Sequence, residues 1–342
     1  MQAVVVEDAD RVVVREVPDP PPTGPYQALV KVVCASICNA TDAKIAHRQL
    51  YFVKDYPTML GHEGVGRVTA VGEEVRSFHL GDLVSRPRAT PPPGSGLYES
   101  WGAFAQYGLV TDTAAMAADG LLDPRSMRAP DQIPAPPGSD PVALTQMITL
   151  RETLSLLRNL GVRAGESIVI FGAGPVGVAC SLLARQIGLD PVIVVARRDQ
   201  QLERALTFGR ATHAVNNTRD SVPQAVRRIT GRGADWAVEA IGTDAVMRDA
   251  LACLAPEGKV ALYGVPHPSE VDSPLRRGPH LSPAGPEEGT ATQEIFDWVG
   301  RGLVPAREFV SHELPMAQVA TGLHLLQTRQ TFKVLLWMDP AA

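Results

Sequence analysis

Residues 168–198 contain the feature that most constrains how this chain can fold. The apolar, β-forming run Ile168-Val169-Ile170-Phe171 leads into Gly172-Ala173-Gly174-Pro175-Val176-Gly177, which opens a helical stretch. A second apolar strand ends at Ala196, nineteen residues after Gly177. Glycines spaced in this way between a strand and a helix let the backbone approach a pyrophosphate at the positive end of the helix dipole. We therefore predict a dinucleotide site on Gly172, Gly174, Pro175, Val176 and Gly177; a tight turn in another doubly wound fold is the alternative.

The end of the second strand indicates which dinucleotide is bound. Sites for the non-phosphorylated cofactor carry an acidic residue about twenty residues along, which accepts hydrogen bonds from the ribose. Here that position is Ala196, followed by Arg197 and Arg198. A guanidinium group can hold a 2′-phosphate with two hydrogen bonds, whereas a carboxylate repels it. The pattern predicts NADP(H), with two solvated surface arginines as the alternative.

Length and charge limit the class of protein and its partners. The chain has 342 residues, enough for two domains, and a net charge of −5 with both signs interspersed, so we expect neither nucleic acid nor a membrane as a partner. No apolar run approaches transmembrane length, and Met1 leads directly into a strand-like segment. We therefore expect a cytoplasmic protein without a signal peptide.

Cys38 differs from the other cysteines of the chain. The four cysteines are scattered, which is typical of a reducing compartment, and the other three lie in apolar strand or helix patterns. Cys38 follows a strand-like run, and His62 and Glu63 open another strand some twenty residues later. Thiolate, imidazole and carboxylate form a zinc ligand set, and an open fourth position makes such a site catalytic. The alternative is a core cysteine and a surface His-Glu pair.

With further motifs, these residues resemble the medium-chain dehydrogenase/reductase superfamily in its zinc-dependent alcohol and polyol dehydrogenase branch. The resemblance spans nearly the whole chain. The further motifs are Thr41-Asp42, Gly61-His62-Glu63-Gly64-Val65-Gly66, Trp101-Gly102-Ala103-Phe104, Val238-Glu239-Ala240-Ile241-Gly242, Gly258-Lys259-Val260 and Phe332-Lys333-Val334-Leu335-Leu336.

The resemblance implies an α/β protein with a β-rich, GroES-like catalytic domain and an inserted Rossmann domain with a doubly wound parallel sheet. We place the catalytic domain at residues 1–148 and 287–342 and the Rossmann domain at 149–286. Short β-branched runs before residue 110, and helices at 150–160 and 221–230 between later strands, agree with this division. The resemblance also implies a homo-oligomer, and adds four residues to the cofactor site: Ile241, Gly242, Gly264 and Val265.

The chain departs from the pattern of the family in its metal ligands. Residues 86–104 contain no cysteine, so the lobe that holds a structural zinc in many relatives is missing and we expect one zinc, which is catalytic. The third protein ligand, which many relatives carry before the glycine turn, is not obvious in this chain. Gln146 is the residue nearest to that position with a suitable oxygen, and Glu63 is another candidate. That Cys38 and His62 bind no metal at all is the alternative.

The turn after Cys38 is one residue longer than is common in the family. The Thr41 hydroxyl is the expected proton relay, and it is also a candidate N-cap for a helix over residues 42–48. The histidine that continues the relay in many relatives has no clear match. Asp42 is expected to pair with a cation and to orient the ligand shell, and Lys333 is the predicted partner.

These residues predict a zinc-containing, NADP(H)-dependent alcohol dehydrogenase or ketone reductase. The expected catalytic residues are Cys38, Thr41, His62 and Glu63, and the expected substrate is a small polar alcohol or carbonyl compound such as a polyol, sugar or aminocyclitol. Two alternatives remain open: a zinc-free enoyl or quinone reductase of the same superfamily, and a dinucleotide-binding protein without catalysis.

Overall fold

The computed structural model of the protein describes residues 1–21, 23–123, 128 and 130–339. The chain divides into two compact units: Met1–Ile148 with Pro305–Ala342, and Thr149–Val304. Among the described residues, no helix has both the length and the apolar character needed to cross a bilayer.

The first unit consists mainly of strands, as its β-branched runs and Gly and Pro turns predict. Its elements before residue 149 are β1 (Gln2–Asp8), β2 (Arg11–Glu16), β3 (Gln27–Ile37), α1 (Thr41–Ala46), β4 (Thr58–Met59), β5 (Glu63–Val71), β6 (Leu83–Ser85), β7 (Tyr98–Glu99), β8 (Tyr107–Thr111), α2 (Thr113–Ala118) and the start of α3 (Pro141–Leu160). The predicted helix at residues 150–160 is thus the second half of a longer one.

The second unit alternates strands with helices. Its elements after α3 are β9 (Ile168–Phe171), α4 (Pro175–Ile187), β10 (Val192–Ala196), α5 (Asp199–Thr207), β11 (His213–Asn216), α6 (Val222–Thr230), β12 (Ala234–Glu239), α7 (Asp244–Cys253), β13 (Leu254–Leu262) and α8 (Thr292–Gly300). The strands form a parallel sheet in the order β11-β10-β9-β12-β13. The strand order reverses at β9, which is where ligands bind in doubly wound sheets.

The chain then returns to the first unit through β14 (His312–Pro315), α9 (Val319–Gln327) and β15 (Val334–Trp337). Short 3₁₀ turns lie at Pro268–Glu270, Pro274–Arg276, Glu288–Ala291, Ala306–Phe309 and Met316–Gln318. β15 pairs antiparallel with β3, with Val334 opposite Ile37. The C-terminal strand therefore returns beside the cysteine turn, as a catalytic domain built from both ends of the chain requires.

In the described part of the chain, the first unit contains two sheets. One has the order β2-β1-β4-β7; the other has the order β14-β15-β3-β5-β6, with β8 also paired to β3. β3 and β5 are antiparallel, and Ser36 lies opposite Glu63. Because β3 ends at Ile37 and β5 begins at Glu63, the residues Cys38 and His62 leave the sheet at the same edge.

The second domain boundary differs from the prediction. Residues 287–304 belong to the second unit, whereas the sequence placed them in the catalytic domain. Arg151 on α3 is fully buried, and its guanidinium lies 3.3 Å from both Glu288 and the Thr292 hydroxyl. A buried charge needs such a partner, and this contact holds the segment to the second unit.

Candidate active site

Cys38, His62 and Glu63 come together at one edge of the sheet formed by β3 and β5. One ligand atom from each residue lies within 4.8 Å of the other two. His62 is 9% exposed and Glu63 is 2% exposed, while Cys38 is half-buried. The other cysteines are buried, and burial raises the thiol pKa of Cys180 and of Cys253 to about 12. Among the described residues, Cys38 is the cysteine that belongs to a cluster of possible metal ligands.

Asp42 orients two residues of this cluster. Its Oδ2 accepts a hydrogen bond from the Cys38 amide at 2.8 Å, and its Oδ1 lies 3.2 Å from His62 Nδ1. Burial by itself lowers the pKa of His62, but Asp42 and Cys38 together raise that pKa well above its usual value. With Nδ1 held by a carboxylate, Nε2 is the ring nitrogen left for a metal, which is the common arrangement at histidine ligands.

The prediction that Asp42 forms an ion pair with Lys333 is wrong, because Lys333 pairs with Glu63 instead. Lys333 Nζ lies 2.5 Å from Glu63 Oε2, and both side chains are nearly fully buried. Burial lowers the pKa of Lys333, but Glu63, Cys38 and Asp42 raise it above its usual value. Glu63 Oε1 lies 3.9 Å from His62 Nε2, so that oxygen faces the ring nitrogen that is left for a metal.

Thr41 does not cap α1. The N-cap position is Ala40, which makes no side-chain hydrogen bond, and the helix ends at Ala46 rather than at residue 48. Thr41 is instead the first helical residue, and its amide donates to Cys38 Sγ at 3.4 Å. Its side chain is half-buried, beside the candidate ligands. His47, the first histidine after Thr41 in the chain, contacts Asp10 and Gln327.

Gln146 is hydrogen-bonded to β3, the strand that precedes Cys38. Its Nε2 donates hydrogen bonds to Ser36 Oγ at 2.6 Å and to Thr145 Oγ1 at 2.7 Å. Ser36 is opposite Glu63 in the sheet, so the amide group is anchored next to the strand that carries a candidate ligand. Because the nitrogen is bound to hydroxyl groups, the amide oxygen is the atom of Gln146 that could bind a metal.

Trp101 connects the cluster to a cavity, and its role was not predicted. Its ring centroid lies 5.3 Å from that of His62, and its φ of 64° is in the left-handed region, which is rare for a bulky residue. The cavity, of about 480 Å³, combines three aromatic residues with charged ones; its lining includes Phe52, Tyr98, Trp101, Lys54, Asp55, Arg88 and Glu99. Such a wall can stack against a ligand and also bond to its hydroxyl groups.

The glycine turn in the second unit has the geometry that dinucleotide binding requires. Gly172 has φ +114°, and a Cβ on Gly177 would lie 1.8 Å from the Gly172 carbonyl oxygen, so that position accepts only glycine. Gly174 is the N-cap of α4, Pro175 begins the helix, and Val176 follows, half-buried. The amide-bearing end of α4 is thus placed at the carboxyl edge of β9.

The predicted cofactor-selecting residues lie at the end of β10. Ala196 is the last strand residue and is buried, Arg197 is exposed, and Arg198 is the half-buried N-cap of α5. Asp199 is the first acidic residue after Ala196 in the chain. Its carboxylate accepts hydrogen bonds from Asn216 at 2.9 Å and from Arg219 at 2.6 Å. Neither of these two partners was predicted from the sequence.

The four other predicted cofactor residues pack together. A Cβ on Gly264 would lie 2.3 Å from the Gly242 nitrogen, and one on Gly242 would lie 2.2 Å from the Val265 oxygen. A Cβ on Gly172 would lie 2.8 Å from Ile241 Cδ1. The loops that follow β12 and β13 therefore meet each other, and Ile241 reaches the glycine turn.

Comparison with known proteins agrees with this architecture. Residues 24–120 match the family model of the alcohol dehydrogenase GroES-like domain, and residues 175–281 match that of the zinc-binding dehydrogenases. A protein of Mycobacterium tuberculosis named a probable zinc-binding alcohol dehydrogenase is 32% identical over 280 residues, 78% of this chain and 68% of that protein. The sorbitol dehydrogenase of Bombyx mori is 25% identical over 98% of this chain and 97% of its own.

A solved structure gives the same result. The alcohol dehydrogenase of Thermus sp. ATN1 superposes with a TM-score of 0.80 at 27% identity, covering 98% of this chain and 99% of that one. A GroES-like domain joined to a Rossmann domain defines a two-domain, nicotinamide-linked dehydrogenase, which confirms the predicted fold class. The chain belongs to the medium-chain dehydrogenase/reductase superfamily, in its zinc-dependent alcohol and polyol dehydrogenase branch. It is accordingly a zinc-dependent, NAD(P)-linked oxidoreductase that acts on CH–OH groups.

Proposed function

We propose that the protein is an NADP(H)-dependent alcohol dehydrogenase or ketone reductase with one catalytic zinc per chain and no structural zinc. Its proposed substrate is a small polar compound such as a polyol, sugar or aminocyclitol. The observation that carries the proposal is the convergence of Cys38, His62 and Glu63 within 4.8 Å, in a chain that also has a dinucleotide-binding turn.

The donor set fits zinc. Ligand atoms about 2.0–2.3 Å from a tetrahedral ion lie roughly 3.3–3.8 Å apart. The three groups, which lie within 4.8 Å of one another, therefore need to close by at most about 1.5 Å. Cys38 Sγ, His62 Nε2 and Glu63 Oε1 would hold the ion, with Gln146 as a further candidate. Zinc bound here would supply Lewis-acid polarisation of the substrate oxygen, and a bound nicotinamide cofactor would supply the acceptor or donor of the hydride.

The side chains around the ligands have distinct proposed tasks. Asp42 fixes the orientation of the His62 ring, and Lys333 balances the charge of Glu63. The Thr41 hydroxyl is the proposed proton relay, because it belongs to the residue whose amide already contacts Cys38 Sγ. Trp101 shields His62 from water on the side of the cavity.

The lining of the cavity supports a polar substrate. It carries two cations, Lys54 and Arg88, and two anions, Asp55 and Glu99, beside its aromatic residues. A balanced set of charges offers both donors and acceptors to hydroxyl groups without selecting a strongly charged ligand. The preference for NADP(H) is supported by Ala196, which leaves no acid at the ribose position, and by the adjacent Arg197 and Arg198.

The proposal includes small-molecule alcohols and carbonyl compounds as the partners, a cytoplasmic location and assembly into a homo-oligomer, but neither nucleic acid nor a membrane as a partner. The interspersed charges of the chain support the exclusion of large anionic partners.

The test combines metal analysis with a substrate screen. Metal-replete protein should contain one zinc per chain, and polyols, sugars and simple alcohols should be screened with both cofactors at the nicotinamide absorbance band. Cys38→Ser should lose zinc and turnover yet retain cofactor binding, since the Rossmann unit has its own core. Near-zero zinc, two zinc ions per chain, or turnover that survives Cys38→Ser would contradict the proposal.

A further inference from the structure

Glu239, the last residue of β12, holds two loops at the carboxyl edge of the sheet. Its carbonyl oxygen accepts hydrogen bonds from the amides of Tyr263 at 2.9 Å and Gly264 at 2.8 Å. Its side-chain Oε1 accepts hydrogen bonds from the amides of Ile241 at 2.8 Å and Gly242 at 2.6 Å. The side chain is fully buried. This one residue therefore bonds to the loop after β12 and to the loop after β13.

The loop that contains Ile241 and Gly242 lies on the side of the glycine turn that faces away from β10. Ile241 contacts Gly172 while remaining 47% exposed. β12 pairs with β9 on the side opposite β10, the strand that ends at Ala196 just before Arg197. A dinucleotide lies across the carboxyl edge with its pyrophosphate at the turn. If its adenosine half is on the β10 side, its nicotinamide half faces Ile241 and Gly242.

Arg276 brings a buried positive charge to Glu239. Its side chain is 6% exposed, with Nη1 3.7 Å from Glu239 Oε2 and Nε 3.9 Å from Asp244 Oδ1. The proline-rich segment 266–289 carries this residue, and Ser273 fastens the segment by donating to Asp244 Oδ2 at 2.7 Å. The pKa of Glu239 lies above its usual value, because burial raises it by more than the two loop amides and Arg276 lower it.

We propose that Glu239, with Arg276 beside it, is a positioning residue for the nicotinamide half of the cofactor, and that segment 266–289 is part of the cofactor site. The inference rests on the proposed dinucleotide cofactor but not on the choice between NADP and NAD. An ionised carboxylate accepts amide hydrogens more strongly than a neutral oxygen does, so it keeps the loop in one conformation. A loop ordered before binding lowers the entropic cost of holding the ligand.

The test compares the whole cofactor with its adenosine half. Dissociation constants of NADPH and of adenosine 2′,5′-bisphosphate are measured by titration calorimetry for the wild type, Glu239→Gln and Arg276→Met. Glu239→Gln should weaken NADPH binding about tenfold and change adenosine 2′,5′-bisphosphate binding less than twofold. Arg276→Met should weaken NADPH binding in the same selective way, and it leaves Oε1 and both loop hydrogen bonds in place.

The matched control is Asp235→Asn at the other end of the same strand. Asp235 also accepts a hydrogen bond from a backbone amide, that of Ser167 at 2.9 Å, but it lies at the amino end of β12, whereas the loops follow the carboxyl end. This variant should lower the melting temperature without changing the ratio of the two dissociation constants. The inference would be overturned if Glu239→Gln and Arg276→Met weakened the binding of both ligands equally. It would also be overturned if neither variant weakened the binding of NADPH. If the wild type prefers NADH, the ratio is taken against AMP, so a wrong choice of cofactor is detected separately.

Discussion

Asp42→Asn tests whether the orientation of His62 decides zinc binding. The substitution keeps the volume of the side chain and one acceptor oxygen but removes the charge. Asp42 bonds to His62 Nδ1 and to the Cys38 amide, at 3.2 and 2.8 Å, and is fully buried. A hydrogen bond to a charged group contributes about 1.5–3 kcal/mol, against about 0.5–1.5 kcal/mol for a neutral one. Losing the charge at both hydrogen bonds therefore costs about 2 kcal/mol of the free energy of zinc binding, which is roughly thirtyfold in zinc affinity.

The expected result is a zinc dissociation constant about thirtyfold higher, within the range known for partners of ligand histidines, and a lower turnover at saturating zinc. Zinc affinity is measured by competition with a chelator, and cofactor affinity should not change.

Asp112→Asn is the matched control. Asp112 is also buried and accepts hydrogen bonds from the amides of Ala115, Arg76 and Ser77, but it caps α2 instead of contacting a candidate ligand. Its loss should lower the melting temperature and leave zinc affinity unchanged. The reasoning is refuted if the zinc affinity of Asp42→Asn is within threefold of that of the wild type, or if Asp112→Asn loses as much zinc affinity as Asp42→Asn.

Two further predictions concern the cofactor and the fold. Wild-type protein should bind NADP(H) at least tenfold more tightly than NAD(H), with the margin shrinking at high salt, and Ala196→Asp with Arg197→Ile should invert the order; equal affinities at low ionic strength would show that the arginines do not contact the phosphate. Truncation before residue 330 should unfold the first unit, because β15 lies between β14 and β3; proteolysis and circular dichroism would show the loss, and an intact, zinc-binding first unit would contradict it.

Local sequence signals predicted the Rossmann unit well. The strand, turn and helix around Gly172 depend on residues close together in the chain, and the close approach of Gly177 to Gly172 explains why glycine is required. Helix limits were less predictable: α3 begins at Pro141, nine residues before the predicted start at residue 150. The first turns of α3 carry Thr145 and Gln146, whose polar side chains are buried by tertiary contacts.

Sequence alone determined the chemistry that is available: a thiol, an imidazole and a carboxylate after neighbouring strands, and a glycine turn before a helix. The pairing of the charges around the ligands depended on the tertiary structure. The sequence indicated Asp42 as the partner of Lys333, whereas in the structure Lys333 pairs with Glu63. Val334 lies opposite Ile37 and Glu63 lies opposite Ser36, and this register places Lys333 against Glu63 and leaves Asp42 to His62. Register across about 300 residues is decided by the packing of whole strands, which no local pattern encodes.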